Sequence, residues 1–269
     1  MTTPSENDAR TIGDEEEILS MKFGGRTIRE NLEAAIAAGR VIRLPDGKLS
    51  LPESAPPTEF RNSVRFERAC GFLNDFMFKN VYNKRSVPLG CAACYKVKVE
   101  TQSMRQLMAV KKIADGFDFS AKSCAEVDRP DNQSVYSTYF YLTGLDQARK
   151  IYKQVRAKID AEPTLGPSVK VVIKRGCTNY EHACGPSNRY TFDPRLEEVE
   201  AYFRKRWTSP RHAPMPARKY REAAALLEMA RVAFRIGDNT YKEFTGGQEI
   251  FPPTVSYDPD ETDGDGPSN

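Results

Sequence analysis

Three strand-like stretches alternate with two amphipathic segments in the middle of the chain, and this order constrains the fold more than any other feature. The stretch "CYKVKVE" (residues 94–100) alternates apolar and charged side chains, which predicts a strand. The stretches "SVYSTYFYL" (134–142) and "SVKVVIKR" (168–175) are rich in β-branched and aromatic residues, which favour strands. We therefore expect three strands in this block.

Two helices separate these strands. Residues 103–117 and 144–160 place apolar side chains at helical spacing along one face. The polar stretch "KSCAEVD" (122–128) adds a short edge strand, so the order is β-α-β-β-α-β. This order predicts an α+β protein with a ferredoxin-like split βαβ core. In that plan the sheet order is 4-1-3-2, with strand 4 antiparallel to strand 1.

The flanking sequence predicts smaller units around this core, which we place at residues 59–190. Residues 19–58 contain a helix that Thr27 and Glu30 cap as a capping box, a hairpin of "RVIRL" and "KLSL", and the linker "PESAPPTEF" (52–60). Residues 191–250 predict two C-terminal helices. The second helix has an apolar face for packing, formed by Tyr220, Ala224, Leu227, Ala230 and Phe234.

Charge is distributed unevenly along the chain. The formal net charge is +3, yet residues 19–250 carry 39 bases and 26 acids, a net charge of +13. The ends, residues 1–18 and 251–269, are acidic and polar, and we expect them to be disordered tails. A basic body between acidic tails indicates either a polyanionic partner or tails that keep the protein in solution.

The cysteines give the most specific chemical prediction. Cys91 and Cys94 precede the first core strand, and Cys177 and Cys184 follow the last, so the predicted topology brings both pairs to one rim of the sheet. Cys124, at the start of the second strand, is expected at the same rim. Thiolates suit zinc or iron–sulfur clusters. The sequence thus predicts a metal site formed by Cys91, Cys94, Cys177, Cys184 and Cys124.

The spacing of these cysteines favours an iron–sulfur cluster over zinc. Only Cys91 and Cys94 have the C-x2-C spacing of a zinc knuckle, and Cys177 and Cys184 are too far apart in sequence for a second one. We expect the neighbouring Lys96, Lys174 and Arg175 to lower the pKa values of the thiols. The open alternatives are that the cysteines are inert thiols of the core, or that Cys91 and Cys94 form a reactive dithiol.

A basic surface with aromatic side chains predicts binding to single-stranded DNA or RNA. Bases and aromatic side chains occur together in residues 203–221, and lysines would line the outward face of the sheet with Tyr139 or Tyr141. The predicted nucleic-acid-binding residues are Lys96, Lys98, Lys170, Lys174, Arg204, Lys205, Arg206, Trp207, Arg211, Arg218, Lys219 and Arg221. The alternative is that these lysines are ordinary solvated side chains on a sheet face and bind no nucleic acid.

The sequence therefore predicts a metal protein, iron–sulfur rather than zinc, with a nucleic-acid-binding surface. An iron–sulfur redox enzyme or electron-transfer protein, and a structural or assembly protein with inert cysteines, remain alternatives. No apolar stretch is long enough for a bilayer and the N-terminus has no signal-peptide pattern, so we expect a cytoplasmic protein without a membrane partner. Glu197, Glu198 and Glu200 are expected on a solvated helix face.

Overall fold

The computed structural model of this protein describes residues 15–53, 58–62, 70–127, 134–210, 218–251 and 253. The strands are β1 (Lys22–Phe23), β2 (Arg26–Thr27), β3 (Ile42–Arg43), β4 (Leu49–Ser50), β5 (Phe60–Arg61), β6 (Cys94–Thr101), β7 (Ala121–Ala125), β8 (Tyr136–Thr143) and β9 (Lys170–Arg175). The α-helices are α1 (described over 15–20), α2 (Ile28–Ala37), α3 (Met104–Asp115), α4 (Leu145–Asp160), α5 (Thr178–Cys184), α6 (Leu196–Arg206) and α7 (Arg218–Arg235). Within these ranges, no helix has the length and apolar character needed to cross a bilayer.

The central sheet has five strands in the order β5-β7-β8-β6-β9, and every neighbouring pair is antiparallel. The α+β class is thus confirmed. The fifth strand, β5, was not expected, because Phe60 lies in the predicted linker. Since β5 pairs with the outer side of β7, β7 is not the edge strand that its polar sequence predicts.

Helices α3 and α4 cover one face of this sheet. Every second residue of β6 points to that face, so Val97 and Val99 are buried against the two helices while their lysine neighbours point away. The core under the helices also contains Val110, Ala114, Phe140, Leu142, Ile151, Val155 and Ile159. We call the opposite face of the sheet, to which Lys96, Lys98, Tyr139 and Tyr141 point, the outer face.

The N-terminal unit forms as predicted. The capping box is present, with Thr27 Oγ1 accepting from the Glu30 backbone N–H at 3.2 Å and Glu30 Oε2 accepting from the Thr27 N–H at 2.7 Å. Strands β3 and β4 pair as the predicted hairpin. Helix α2 packs in the same apolar core as α6 and the π-helix Gly71–Val81.

Aromatic side chains join the π-helix to α6. The ring of Phe76 lies 5.6 Å from Phe203 and 4.8 Å from Trp207, and Phe72 lies 5.8 Å from Trp207 between ring centroids. Phe76 is fully buried. The chain after α6 also bridges to β4, since the Thr208 N–H donates to the Leu49 carbonyl at 2.9 Å. The N-terminal unit is therefore held by the π-helix and α6 together.

Helix α7 packs through a different face from the one predicted. Tyr220, Leu227 and Phe234 are 60%, 44% and 39% exposed, respectively. The side chains that pack against β5, β7 and α3 are Ala225, Met229, Ala230, Val232 and Ala233. Of the predicted face, only Ala230 is buried. Since this helix is rich in alanine, two apolar faces are available, and periodicity alone does not choose between them.

Candidate functional site

The strand register aligns lysines and tyrosines in rows across the outer face. Lys96 on β6 lies opposite Tyr141 on β8, and one row further Lys98 lies opposite Tyr139. Tyr139 in turn lies opposite Lys122 on β7. Side chains directly opposite on neighbouring strands are close enough to interact. The Nζ atoms of Lys98 and Lys122 lie 5.8 and 5.5 Å from the centre of the Tyr139 ring.

A cavity of about 520 Å³ lies above these rows, and we call it the sheet-face cavity. The sheet forms its floor, the π-helix forms one wall and the start of α5 forms another. Its lining residues are Arg61, Cys70, Asn74, Asp75, Lys79, Lys96, Lys122, Glu126, Tyr139, Tyr141, Cys177, Thr178 and Asn179. Four of them are cations and two are acids, so the lining carries a small excess of positive charge.

A buried carboxylate balances part of this positive charge. Glu59 pairs with Lys122 at 3.0 Å and also with Arg61. Burial on its own raises the pKa of Glu59, but the two cations outweigh it and the pKa is lowered. Burial on its own lowers the pKa of Lys122, but the interactions with Tyr141, Cys124 and Glu59 outweigh it and the pKa is raised. Both groups are therefore ionised at neutral pH.

Lys96 is a buried ammonium at the centre of the floor. Its Nζ lies 5.4 Å from the centre of the Tyr141 ring and donates a hydrogen bond to Cys177 Sγ at 3.3 Å. Burial on its own lowers the pKa of Lys96, but Cys177 and Tyr141 outweigh it and the pKa is raised. Burial raises the pKa of the Tyr141 hydroxyl to about 12, although Lys122 and Lys96 oppose this shift. At neutral pH the floor therefore presents a charged lysine and an uncharged tyrosine.

Carboxylates also pair with the lysines of the adjoining edge. Glu100 accepts from Lys98 at 2.7 Å and from Lys170 at 2.9 Å. Lys174 pairs with Glu181 on α5. Lys98, Glu100, Lys174 and Glu181 line a second cavity of about 400 Å³ beside β9. The predicted lysine residues therefore lie on the outer face, but their charges are largely compensated.

The structure brings some of the predicted metal ligands together and places Cys124 elsewhere. Burial raises the pKa of Cys91 to about 12; the hydrogen bond with Tyr180 opposes this shift, and Cys94, Cys177 and Cys70 add to it. Cys124 lies opposite Ser137, at the end of the sheet far from Cys94. The predicted position of Cys124 is wrong, because β7 begins at Ala121 and Cys124 is its fourth residue.

These thiols have partners other than a metal. Cys91 Sγ shares a hydrogen bond with the Tyr180 hydroxyl at 3.4 Å, and Cys184 Sγ donates to the Lys84 carbonyl at 3.7 Å. Cys177 is in contact with the Lys96 ammonium, which would repel a metal cation. In the part of the chain that the structure describes, no three Cys, His, Asp or Glu side chains form a group that could hold a metal ion. The metal centre stays a prediction without geometric support.

The expected lowering of the thiol pKa values is wrong for three of the cysteines. Burial raises the pKa of Cys124 to about 12, as it does for Cys91, and it also raises the pKa of Cys184. The sequence places cations close to these cysteines along the chain, but desolvation of the thiolate outweighs them.

Glu200 holds the loop that carries Cys91, contrary to the expectation that it lies on a solvated face. Its carboxylate is buried and accepts the backbone N–H groups of Leu89 at 2.6 Å and Gly90 at 3.0 Å. A Cβ atom at Gly90 would lie 2.9 Å from Leu73 and 3.1 Å from the Glu200 carboxylate, so a larger residue there would require these side chains to shift. Burial is the largest influence on Glu200 and raises its pKa, although the two N–H groups oppose it.

We expect Glu200→Gln to lower the free energy of unfolding by about 1–3 kcal/mol, because the amide leaves one buried N–H without an acceptor. The difference in the free energy of unfolding between wild type and Glu200→Gln should narrow as the pH rises. The folded protein binds the Glu200 proton more tightly than the unfolded chain, whose pKa is near 4.5, so wild-type stability falls as the pH rises from that value towards the raised folded pKa. Glutamine does not titrate.

Urea unfolding across this pH range measures the effect. Glu197→Gln, at an exposed position of the same helix, is the matched control and should leave the free energy of unfolding nearly unchanged. If the difference in the free energy of unfolding between wild type and Glu200→Gln were the same at all pH values, Glu200 would not have a raised pKa in the folded protein.

The predicted basic segment near residue 205 is largely engaged in packing. Trp207 packs on Phe72 and Phe76, so its ring is not available as a stacking platform. The Arg204 guanidinium lies 4.4 Å from the Phe72 ring centre. Arg206 pairs with Glu15 at 3.0 Å. Lys205 is exposed and lines a separate cavity between α2 and α6.

The bases at the start of α7 lie on the surface. Arg218 pairs with Glu222 one turn along the helix, and Lys219 lies over the exposed ring of Tyr220. Arg221 is also exposed, whereas Arg211 lies outside the described residues. These side chains are separate from the sheet-face cavity.

Several residues of the cavity carry no signal in the sequence. Asn74, Asp75 and Lys79 lie on the π-helix, in a stretch that the sequence identifies only as apolar and aromatic. Asn179 reaches the same wall, and its side-chain amide donates to Asn74 Oδ1 at 2.8 Å. Contacts between segments so far apart in the chain depend on tertiary structure.

Fold and site together define an α+β protein with a cavity lined by lysines and tyrosines on the outer face of its sheet. Comparison with known proteins finds no family model, no curated protein and no solved structure that matches this chain. Its function is therefore inferred from the site alone.

Proposed function

We propose that this protein binds single-stranded nucleic acid and takes one nucleotide into the sheet-face cavity. The observation that carries this proposal is the row arrangement of Tyr139 and Tyr141 with Lys96, Lys98 and Lys122. Tyrosine rings stack on bases of any sequence, and lysines attract the phosphates. The cavity offers both on one surface.

We also propose that β6, β7, β8 and β9 with α3 and α4 form a ferredoxin-like core to which β5 adds a fifth strand. The order β7-β8-β6-β9 and the position of both helices on one face support this assignment. The RNA-recognition sheet presents aromatic side chains from a comparable face. The two tyrosines of β8 occupy that face here.

Lys96, on the floor of the cavity, and Lys98, in the next row, are each only 8% exposed, and the tyrosines are half-buried. Because so little of these side chains reaches the surface, we expect a nucleotide to enter the cavity rather than a strand to lie flat on the sheet. The carboxylate pairs of Glu59 and Glu100 also reduce the net attraction for phosphate. We expect a dissociation constant of about 10⁻⁴ to 10⁻⁶ M near physiological salt, the range of non-specific binding.

Tyr139→Leu and Tyr141→Leu should each weaken binding of a fluorescent single-stranded oligonucleotide by roughly 5- to 150-fold, since stacking contributes about 1–3 kcal/mol per base. Fluorescence anisotropy measures the dissociation constants. Tyr152→Leu is the matched control, because Tyr152 is a half-buried tyrosine of α4, on the other side of the sheet. Equal losses in all three variants would contradict the proposal, as would unchanged binding in the first two.

The salt dependence provides a second readout of the same binding. Lys79→Gln should reduce the slope of log binding constant against log salt by about 0.7, the value for one phosphate contact on a single strand. Lys79 lines the cavity and pairs with Asp75 at 2.6 Å. Lys111 pairs with Asp115 at the same distance but lies on α3, so Lys111→Gln is the control and should keep the wild-type slope.

A further inference from the structure

Lys96 differs from the other cations of the sheet-face cavity in its partners. The other cations each pair with a carboxylate, and the pairs are Lys79 with Asp75, Lys122 with Glu59 and Arg61 with Glu59. In the part of the chain that the structure describes, no carboxylate lies within ion-pair distance of the Lys96 ammonium. The small positive excess of the cavity is therefore located at Lys96.

The groups that do contact the Lys96 ammonium compensate little of its charge. It donates to Cys177 Sγ at 3.3 Å, and sulfur is a weak acceptor. The Tyr141 ring, whose centre lies 5.4 Å away, attracts a cation but is uncharged at neutral pH. A buried charge is unfavourable unless it is paired, and Lys96 is only 8% exposed. A ligand that brings an anion to Lys96 is therefore favoured over a neutral one.

The turn at Gly176 helps to fix this ammonium on the floor of the cavity. Gly176 has a φ of 66°, and its N–H donates to the Cys94 carbonyl at 2.8 Å, which joins the turn to the start of β6. The next residue, Cys177, is thereby held beside Lys96, and both side chains line the cavity. The ammonium is thus in place before a ligand binds, which reduces the cost of ordering it.

A nucleic acid strand offers two kinds of anion to this position. An internal phosphodiester has chain on both sides, and both sides would have to leave through the mouth of the cavity. A terminal phosphate has chain on one side only, and as a monoester it carries a charge of about −1.5 to −2 at neutral pH. Because Lys96 lies on the floor and is nearly buried, the terminal phosphate is the better partner for it.

We propose that the sheet-face cavity recognises the phosphorylated end of a single strand, with the terminal phosphate on the Lys96 ammonium and the adjoining base against the tyrosines of β8. This inference rests on the proposed function and names the part of the strand that enters the cavity. A 5′-phosphate and a 3′-phosphate share this chemistry, and direct comparison of the two distinguishes them.

The test uses the whole chain and single-stranded oligonucleotides of one sequence, labelled at the same internal base. One has a 5′-phosphate, one a 3′-phosphate and one hydroxyl groups at both ends. Fluorescence anisotropy should show that at least one phosphorylated strand binds about 10- to 100-fold more tightly than the hydroxyl-ended strand, as a hydrogen-bonded charge pair provides. Equal binding of all the strands, each weakened by Tyr141→Leu, overturns this inference and leaves the proposed function standing. If none of them binds, the proposed function itself is wrong.

Lys96→Met should abolish the preference for a terminal phosphate, because methionine keeps an apolar stem but has no ammonium. Lys98→Met is the matched control, since Lys98 lies on the same face of β6 and is equally buried but pairs with Glu100. It should keep the ratio between phosphorylated and hydroxyl-ended strands, even where both affinities fall. Circular dichroism checks that both variants fold. A preference that survives Lys96→Met overturns the proposal.

Phosphorus NMR of the wild-type complex gives a readout that needs no variant. The resonance of the terminal phosphate should shift more on binding than those of the internal phosphodiesters. Equal shifts would place the strand end outside the cavity and overturn the proposal.

Discussion

Phe76→Ala is expected to lower the free energy of unfolding by about 3–5 kcal/mol, the usual cost of removing a fully buried aromatic ring. The side chain of Phe76 has no exposed surface, and its ring contacts Phe72, Phe203 and Trp207. The substitution would leave a cavity between the π-helix and α6. Chemical denaturation followed by circular dichroism measures the loss.

The control for this substitution is Phe251→Ala. Phe251 is 41% exposed and contacts one ring, Phe234. Phe251→Ala should lower the free energy of unfolding far less than Phe76→Ala does. Because the π-helix also forms a wall of the sheet-face cavity, Phe76→Ala should weaken oligonucleotide binding as well, although Phe76 does not line the cavity. A loss of stability no larger than that of Phe251→Ala would show that the aromatic cluster does not hold the two helices together.

Asp238→Ala is expected to lower the free energy of unfolding by about 2–4 kcal/mol, because the carboxylate joins the C-terminal segment to α3 and β8. Its Oδ2 accepts from the Met104 N–H and from the Tyr136 hydroxyl, each at 2.7 Å. Its Oδ1 accepts from the Thr240 N–H at 3.0 Å and from the Thr240 hydroxyl at 2.7 Å. Without Asp238, the hydroxyl of the buried Tyr136 loses its partner.

The pH dependence of Asp238 has the opposite sign to that of Glu200. Burial raises the pKa of Asp238, but the hydrogen bonds from Met104, Thr240 and Tyr136 outweigh it and the pKa is lowered. The contribution to stability is therefore present above the unfolded pKa near 3.8 and is lost as the pH falls through the folded pKa. Asp238→Asn should flatten this part of the stability profile.

A double-mutant cycle isolates the central contact. Tyr136→Phe alone should lower the free energy of unfolding by about 1 kcal/mol. In the Asp238→Ala background the same substitution should change it by almost nothing, because the Tyr136 hydroxyl has already lost its partner. Additive effects of the two substitutions would contradict the hydrogen bond as the source of the stability. Urea unfolding of the four proteins completes the cycle.

Local sequence pattern predicts the strands well because each has a strong periodic or compositional signal. The predicted stretches 94–100, 134–142 and 168–175 correspond to Cys94–Thr101, Tyr136–Thr143 and Lys170–Arg175. Strand β5 carries no such signal, since two residues are too few to establish a period. Its pairing with β7 is a tertiary contact.

Site residues are harder to predict because they depend on register and on packing between distant segments. The alternation of β6 and β8 is enough to place Lys96, Lys98, Tyr139 and Tyr141 on one face. The position of Cys124 depends on where β7 begins, and an error of a few residues moves it from one end of the sheet to the other. The contact of Lys96 with Cys177 also requires the turn at Gly176, which sequence alone does not specify.

Strand β9 lies at an edge of the sheet, where its unpaired backbone groups could template pairing with a second chain. Charged side chains on an edge strand hinder such growth, and β9 carries Lys170 and Lys174 on its outer face. These two lysines therefore protect the molecule against edge-to-edge aggregation as well as adding charge near the cavity. Replacing both lysines with apolar residues should favour oligomers, which light scattering detects. Such oligomers would disturb a binding measurement, so Lys79 is the better position for testing the electrostatic part of nucleic-acid binding.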